Sequence, residues 1–124
     1  MPITHTTDKS KHLTVFKVTE KLDFESAMKV IEAFYAENPT KNVIWDMTET
    51  TDIQITSKEV EALVQFEPRY EGKRASGKTA FVAQKDVLFG LSRMFEIRSN
   101  IKKAPYTVCV FRNMDDAYKW FEKS

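Results

Sequence analysis

Four short runs rich in β-branched and aromatic residues alternate with four stretches whose apolar residues recur at helical spacing, and this alternation limits the chain to few architectures. Leu13 to Val18 reads as a strand, with Leu13 and Val15 on one face and Phe16 and Val18 on the other. Asp23 is placed to cap a helix whose stripe is Phe24, Ala27, Met28, Ile31, Phe34 and Tyr35. Asn38-Pro39 ends it, because proline cannot continue the hydrogen-bond ladder. Asn42 to Met47 holds Val43-Ile44-Trp45, a β-type run that stops at Asp46, and a polar loop is expected from Thr48 to Gln54. Thr56 and Glu59 have capping-box spacing for a helix carrying Val60, Leu63 and Val64 that stops near Pro68. Lys78 to Ala83 supplies a third strand, and Asp86 caps a helix bearing Val87, Leu88, Leu91, Met94 and Phe95. After Pro105, Tyr106 to Phe111 forms a strand, and Asn113 caps a last helix with Met114, Ala117, Tyr118 and Phe121. Residues 1–12 are polar except for Ile3 and form either an edge strand or a frayed end. Short strands alternating with amphipathic helices imply a largely parallel sheet with right-handed crossovers.

A chain of 124 residues suits one domain, with a core large enough to need neither metal nor disulfide. Nineteen basic residues against eighteen acidic ones leave a net charge of +1, which supplies no strong field for nucleic acid or an anionic membrane. Cys109 is the sole cysteine, so no intrachain disulfide forms. The segment after Met1 and Pro2 lacks the apolar core of a secretory signal, and no apolar run approaches the length of a membrane span. A cytoplasmic location, without integral membrane association and without nucleic acid as a partner, is expected.

Among the motifs, Gly72-Lys73-Arg74-Ala75-Ser76-Gly77-Lys78-Thr79 matches the phosphate-binding pattern G-x-x-x-x-G-K-[ST]. A true P-loop runs from a strand into a helix, so that amides at the helix start cradle phosphate. Here the order is reversed, and residues 72–79 read as a flexible basic loop leading into a strand. Asp46 falls at an expected strand end, where open α/β sheets place ligand sites. Asp46-Met47-Thr48-Glu49-Thr50 echoes phosphotransferases whose strand-end aspartate is a nucleophile aided by magnesium, with Asp52, Asp86, Asp115 and Lys85 as further groups by type alone. The glycine usual in that turn is missing, and an aspartate bonding the amides of its own loop is the preferred role.

Thr56 and Ser57 stand at a helix start, where a hydroxyl is exposed and well placed to become a phosphate, although capping already accounts for Thr56. Cys109, between Val108 and Val110, reads as a small packed residue. His5 and His12 lack metal-ligand spacing, and no Ser-His-Asp or Cys-His triad assembles. The fifteen aromatic residues exceed what one stripe per helix needs. The surplus (Trp45, Phe66, Tyr70, Phe89 and Phe95) suits a packed core, an apolar pocket or a dimer surface, and Gly90 beside Phe89 allows close approach of a backbone or ligand.

The stretch Thr79-Ala80-Phe81-Val82-Ala83, then Asp86, then Phe89-Gly90-Leu91-Ser92-Arg93-Met94-Phe95-Glu96, resembles SpoIIAA-like proteins of the STAS/CRAL-TRIO group. So does the ending Val110-Phe111-Arg112-Asn113-Met114-Asp115-Asp116-Ala117 with Trp120; with the strand at Asp46, the likeness covers most of the chain beyond residue 12. The resemblance implies a single-domain, STAS-like α/β fold: a mixed, mostly parallel sheet of four to five strands with about four helices, an early antiparallel strand, and dimerisation. It further implies a binding switch or a carrier of apolar small molecules. Anti-sigma-factor antagonists are phosphorylated on a serine at the start of the second helix, near which Ser57 falls, but their Asp-Ser-Ser-Gly pattern is replaced here by Ile55-Thr56-Ser57-Lys58.

The expected function is therefore a non-enzymatic module, a homodimer, that binds an apolar small molecule or lipid or a regulatory protein partner. In the ligand-binding version Phe66, Tyr70, Phe89, Gly90 and Phe95 line or gate the pocket and Arg93 meets a polar head. The first alternative is a phosphorylation-controlled interaction switch at Ser57 or Thr56; the second is magnesium-dependent phosphotransfer at Asp46. No cofactor, metal site or catalytic residue is expected.

Overall fold

In the computed structural model, which describes residues 3–37, 39–66 and 74–123, the alternation becomes one five-stranded sheet in the order β1-β2-β3-β4-β5. The strands are β1 (Ile3–Asp8), β2 (Leu13–Leu22), β3 (Asn42–Ile53), β4 (Lys78–Val82) and β5 (Thr107–Phe111). The helices are α1 (Phe24–Ala36), α2 (Ser57–Gln65), α3 (Asp86–Lys102) and α4 (Met114–Glu122). β1 runs antiparallel to β2, and all other neighbours are parallel, so the sheet is mixed and mostly parallel as expected. The polar N-terminal segment is thus an edge strand, joined to β2 by a short 3-10 turn capped by the Asp8 carboxylate.

The strand order dictates where the helices go. From β2 onward each strand is added on the same side of its predecessor, and right-handed crossovers then carry every connecting helix across one face. Accordingly Ala27 of α1, Val60 of α2 and Leu88 of α3 join Phe16, Val18, Val43, Trp45 and Met47 in the larger core. The opposite face, with Leu13, Ile44, Ala80 and Val82, is covered by Ala117, Met114, Trp120 and Phe121 of α4. Period-two alternation sorts the two sets: Ile44 and Ala80 point one way while Val43, Trp45, Thr79 and Phe81 point the other.

Local signals operate largely as the residues suggest. The Asp23 carboxylate accepts from the Ser26 amide at 2.7 Å, Thr56 and Glu59 form a complete capping box, and Asn113 accepts from the Asp116 amide at 2.8 Å. Asp86 differs: the N-cap of α3 is Lys85, and the Asp86 side chain instead accepts from Arg112 at 2.9 Å. The second helix stops at Gln65, and Pro68 lies outside the described residues.

The largest departure is the segment Thr48 to Gln54, expected as a loop, most of which prolongs β3 as far as Ile53. It pairs with the far half of β2, with Thr19 opposite Glu49 after one register shift, and Leu22 opposite Ile53 after a second that follows the left-handed residue Glu20 (φ 64°). Threonine is β-branched and favours extended backbone despite its polarity, and the Thr50 hydroxyl donates to the Val18 carbonyl at 3.0 Å. Polarity alone was the wrong criterion for that stretch.

Candidate functional site

Between the larger-core face of the sheet and α1, α2 and α3 lies a cavity of about 110 Å³. Its floor is Phe16, Val43, Trp45, Met47 and Phe81; its walls include Ala27, Ile31, Val60, Leu63, Leu88, Leu91 and Phe95. The cavity exists where three helices meet a floor of rings that do not interdigitate fully. Phe16 stacks on Trp45 with centroids 4.7 Å apart, Phe34 meets Phe16 edge-on at 5.4 Å, and Phe95 meets Phe81 edge-on at 5.0 Å.

One end of the cavity is polar. Arg74, Tyr35, Thr79 and Tyr106 line it together. Arg74 is only 3% exposed. Its Nε donates to the Lys41 carbonyl at 3.2 Å and its Nη1 to the Tyr35 hydroxyl at 3.1 Å. Its Nη2 donates to both the Lys78 carbonyl at 3.2 Å and Thr79 Oγ1 at 2.7 Å. The guanidinium lies 4.4 Å from the centre of the Tyr106 ring. Gly77 makes this arrangement feasible, because a Cβ there would sit 2.0 Å from the Lys41 carbonyl oxygen. The polar end therefore lies at the amino ends of β3 and β4, opposite to the carboxyl ends where open α/β sheets usually hold ligands.

The sequence-derived candidates distribute unevenly around this cavity. Phe66 and Phe95 line it, and Tyr70 lies outside the described residues. Phe89 is half-buried against the same core, with the Arg112 guanidinium 3.9 Å from its ring centre. Gly90 is exposed, with nothing within 4 Å of a Cβ built there, so no close backbone approach explains it. Arg93 is exposed on α3 and pairs with Glu96 at 2.6 Å, away from the cavity lining. Among the described lining residues the cation is Arg74, which lies in the stretch expected to be a flexible basic loop. The signal for it was Gly77 three residues after Arg74 in a short strand lead-in, but nothing local says that such an arginine turns inward.

Within the described part of the P-loop-like match, Lys78 is engaged as well. Gly72 and Lys73 lie outside the described residues. Lys78 Nζ donates to the carbonyls of Trp120 at 2.9 Å and Lys123 at 2.6 Å, so it caps the carboxyl end of α4. Asp46 is inside β3, not at its end. Its carboxylate accepts from the Thr48 amide at 3.0 Å and the Thr48 hydroxyl at 2.7 Å, the local bonding preferred from sequence. Among the described residues no three His, Cys, Asp or Glu side chains gather as a cation site, so Asp46, Asp52, Asp86 and Asp115 do not converge. Ser57 is exposed at the first position of α2, and the Thr56 hydroxyl accepts from the Glu59 amide at 3.2 Å. Cys109 is half-buried in β5, and burial, followed by the Glu96 charge, pushes its thiol above the ordinary range.

The architecture is that of the SpoIIAA-like α/β fold. Among solved structures the chain is similar to an uncharacterized protein of the DUF3478 family with a SpoIIAA-like fold from Shewanella loihica PV-4, with a TM-score of 0.55 and 17% identity. The match covers 96% of this chain and 91% of that one, and at that identity it establishes the fold alone. No family model matches the chain. No curated protein matches it either. Among the described residues no helix is long and apolar enough to cross a membrane.

Proposed function

We propose that this protein is a non-enzymatic binding module that encloses one small apolar ligand between its sheet and α1, α2 and α3. The observation that carries the reading is the cavity itself: an almost wholly apolar wall with a few polar groups converging at one end, the usual constitution of a small-molecule site. Size narrows the ligand. An apolar cavity of roughly 150 Å³ accepts benzene, and about 110 Å³ is of the same order. A single ring or a short branched chain fits inside; a long lipid tail does not fit without protruding. The test is a titration of the protein with toluene, read by methyl NMR. Saturable shifts in the methyl groups of Val60, Leu88 and Leu91 are expected, and absence of saturation at the solubility limit of toluene refutes the reading.

A second reading, pairing of this chain with itself, is favoured by a separate observation. Val87, Ile97 and Ile101 are 66%, 49% and 71% exposed along α3. Their spacing places exposed apolar surface along one helix, unpartnered among the described residues. Light scattering behind size exclusion decides it: a monomer mass across micromolar concentrations refutes self-association, and a dimer mass abolished by Ile97→Lys supports it.

A further inference from the structure

We propose that the cavity takes a small carboxylate, an acid whose single ring or short branched chain fills the apolar space while its carboxylate meets Arg74. The inference rests on the apolar-pocket reading and adds to it the charge and chemistry of the ligand.

A guanidinium 3% exposed is costly to bury, and it keeps its charge in the interior. Proteins that bury an arginine for structural reasons usually set a carboxylate against it, since neutral acceptors offset desolvation without cancelling the charge. Among the described residues its four acceptors are two backbone carbonyls and two hydroxyls. Among the described residues no acid lies within ion-pair distance of Arg74. Among the described residues, then, nothing cancels the positive charge that Arg74 places at the wall of the apolar cavity.

Hydrogen-bond capacity points the same way. Nη1 of Arg74 carries two N–H groups and spends one on the Tyr35 hydroxyl. The hydroxyls of Tyr35 and Thr79 each accept from Arg74, and neither donates to a described residue. Tyr35 and Thr79 are 7% and 4% exposed, so bulk water is not a ready acceptor for those protons. Among the described residues, donors on Arg74, Tyr35 and Thr79 thus have no further acceptor, and all three residues line one end of the cavity. The complement is a group that only accepts, carries a single negative charge and is planar enough to meet a guanidinium, which describes a carboxylate better than a phosphate dianion. Thr79 sits beside Val43 in the sheet register, and Val43 is part of the apolar floor, so head and ring subsites are contiguous.

The experiment compares benzoate, its neutral isostere benzamide, and toluene as ligands of the unmodified full chain at neutral pH, by methyl NMR titration. Loss of charge-assisted bonds inside a desolvated site predicts that benzoate binds roughly tenfold to a hundredfold more tightly than benzamide. A preference below tenfold, or a preference for benzamide, with toluene still saturating, overturns the carboxylate inference and leaves the apolar pocket standing. Failure of all three ligands to saturate overturns the pocket reading and the inference with it. Because the comparison uses the native sequence, the structural bonds of Arg74 do not confound it. Arg74→Lys then serves as a second variant. Retention of the charge without the planar fork is expected to lower benzoate affinity by a larger factor than toluene affinity, and equal factors for the two ligands in the folded variant count against the assignment.

Discussion

Two glycine-to-alanine substitutions are expected to change stability in opposite directions, although by sequence they are the same chemical change. At Gly77 an added Cβ would lie 2.0 Å from the Lys41 carbonyl oxygen and 2.9 Å from that of Arg74. Ordinary contact needs the Lys41 carbonyl to retreat by about 1.4 Å, a backbone shift of the overpacking kind. That carbonyl accepts from Arg74 Nε, and Gly77 itself links the Arg74 carbonyl to the Thr107 amide, each at 2.9 Å. Strain together with a weakened bond to a charged donor amounts to about 3 kcal/mol or more. For a chain of this size that lowers the melting temperature by roughly 10 °C or more. At Gly90 the added methyl meets nothing within 4 Å on an exposed helix face, and Gly90→Ala is expected to stabilise by about 0.5–1 kcal/mol. Urea denaturation followed by the fluorescence of buried Trp45 measures both. Gly77→Ala within about 0.5 kcal/mol of the parent would refute the packing described around Arg74, as would a destabilised Gly90→Ala for α3.

Leu88→Ala should cost about 3 kcal/mol, since Leu88 is 2% exposed, and should also enlarge the cavity, so toluene binds more tightly relative to the parent in the same titration. Asp23→Ala removes the N-cap of α1 and should cost about 1 kcal/mol at neutral pH in urea denaturation. The Ser26 amide holds the Asp23 carboxyl below its ordinary value. Its contribution is therefore present above the ordinary aspartate range and lost as pH falls through the folded value, and the two proteins should converge in acid. Cys109, with its thiol pushed up by burial, should react with a disulfide reagent at neutral pH at least about tenfold more slowly than free cysteine, and at the ordinary rate in urea.

The caps at Asp23, Thr56 and Asn113 were readable because each depends on residues at most three positions apart. The reach of β3 beyond Met47 was not, because its far half gains extended structure by pairing with β2, some thirty residues earlier in the chain. The site divides in the same way. Phe66 and Phe95 were identified through aromatic excess, a property of composition, and both reach the cavity. Arg93 was preferred as the head-group cation because it lies in the segment that resembles known relatives, yet the fold leaves it exposed beside Glu96. Arg74 is buried by contacts with Tyr35, Lys41 and Thr79, which come from three different elements or loops.

Periodicity and local capping thus determined this protein's helices, most of its strands and the class of its fold, since those depend on backbone sterics and on one apolar face per element. The tertiary structure alone decided which charge is buried, how far the long strands run together, and where packing stops short of filling space. Each of these depends on residues that meet only after the sheet has assembled, and burial, unlike periodicity, belongs to the assembled chain rather than to any segment of it.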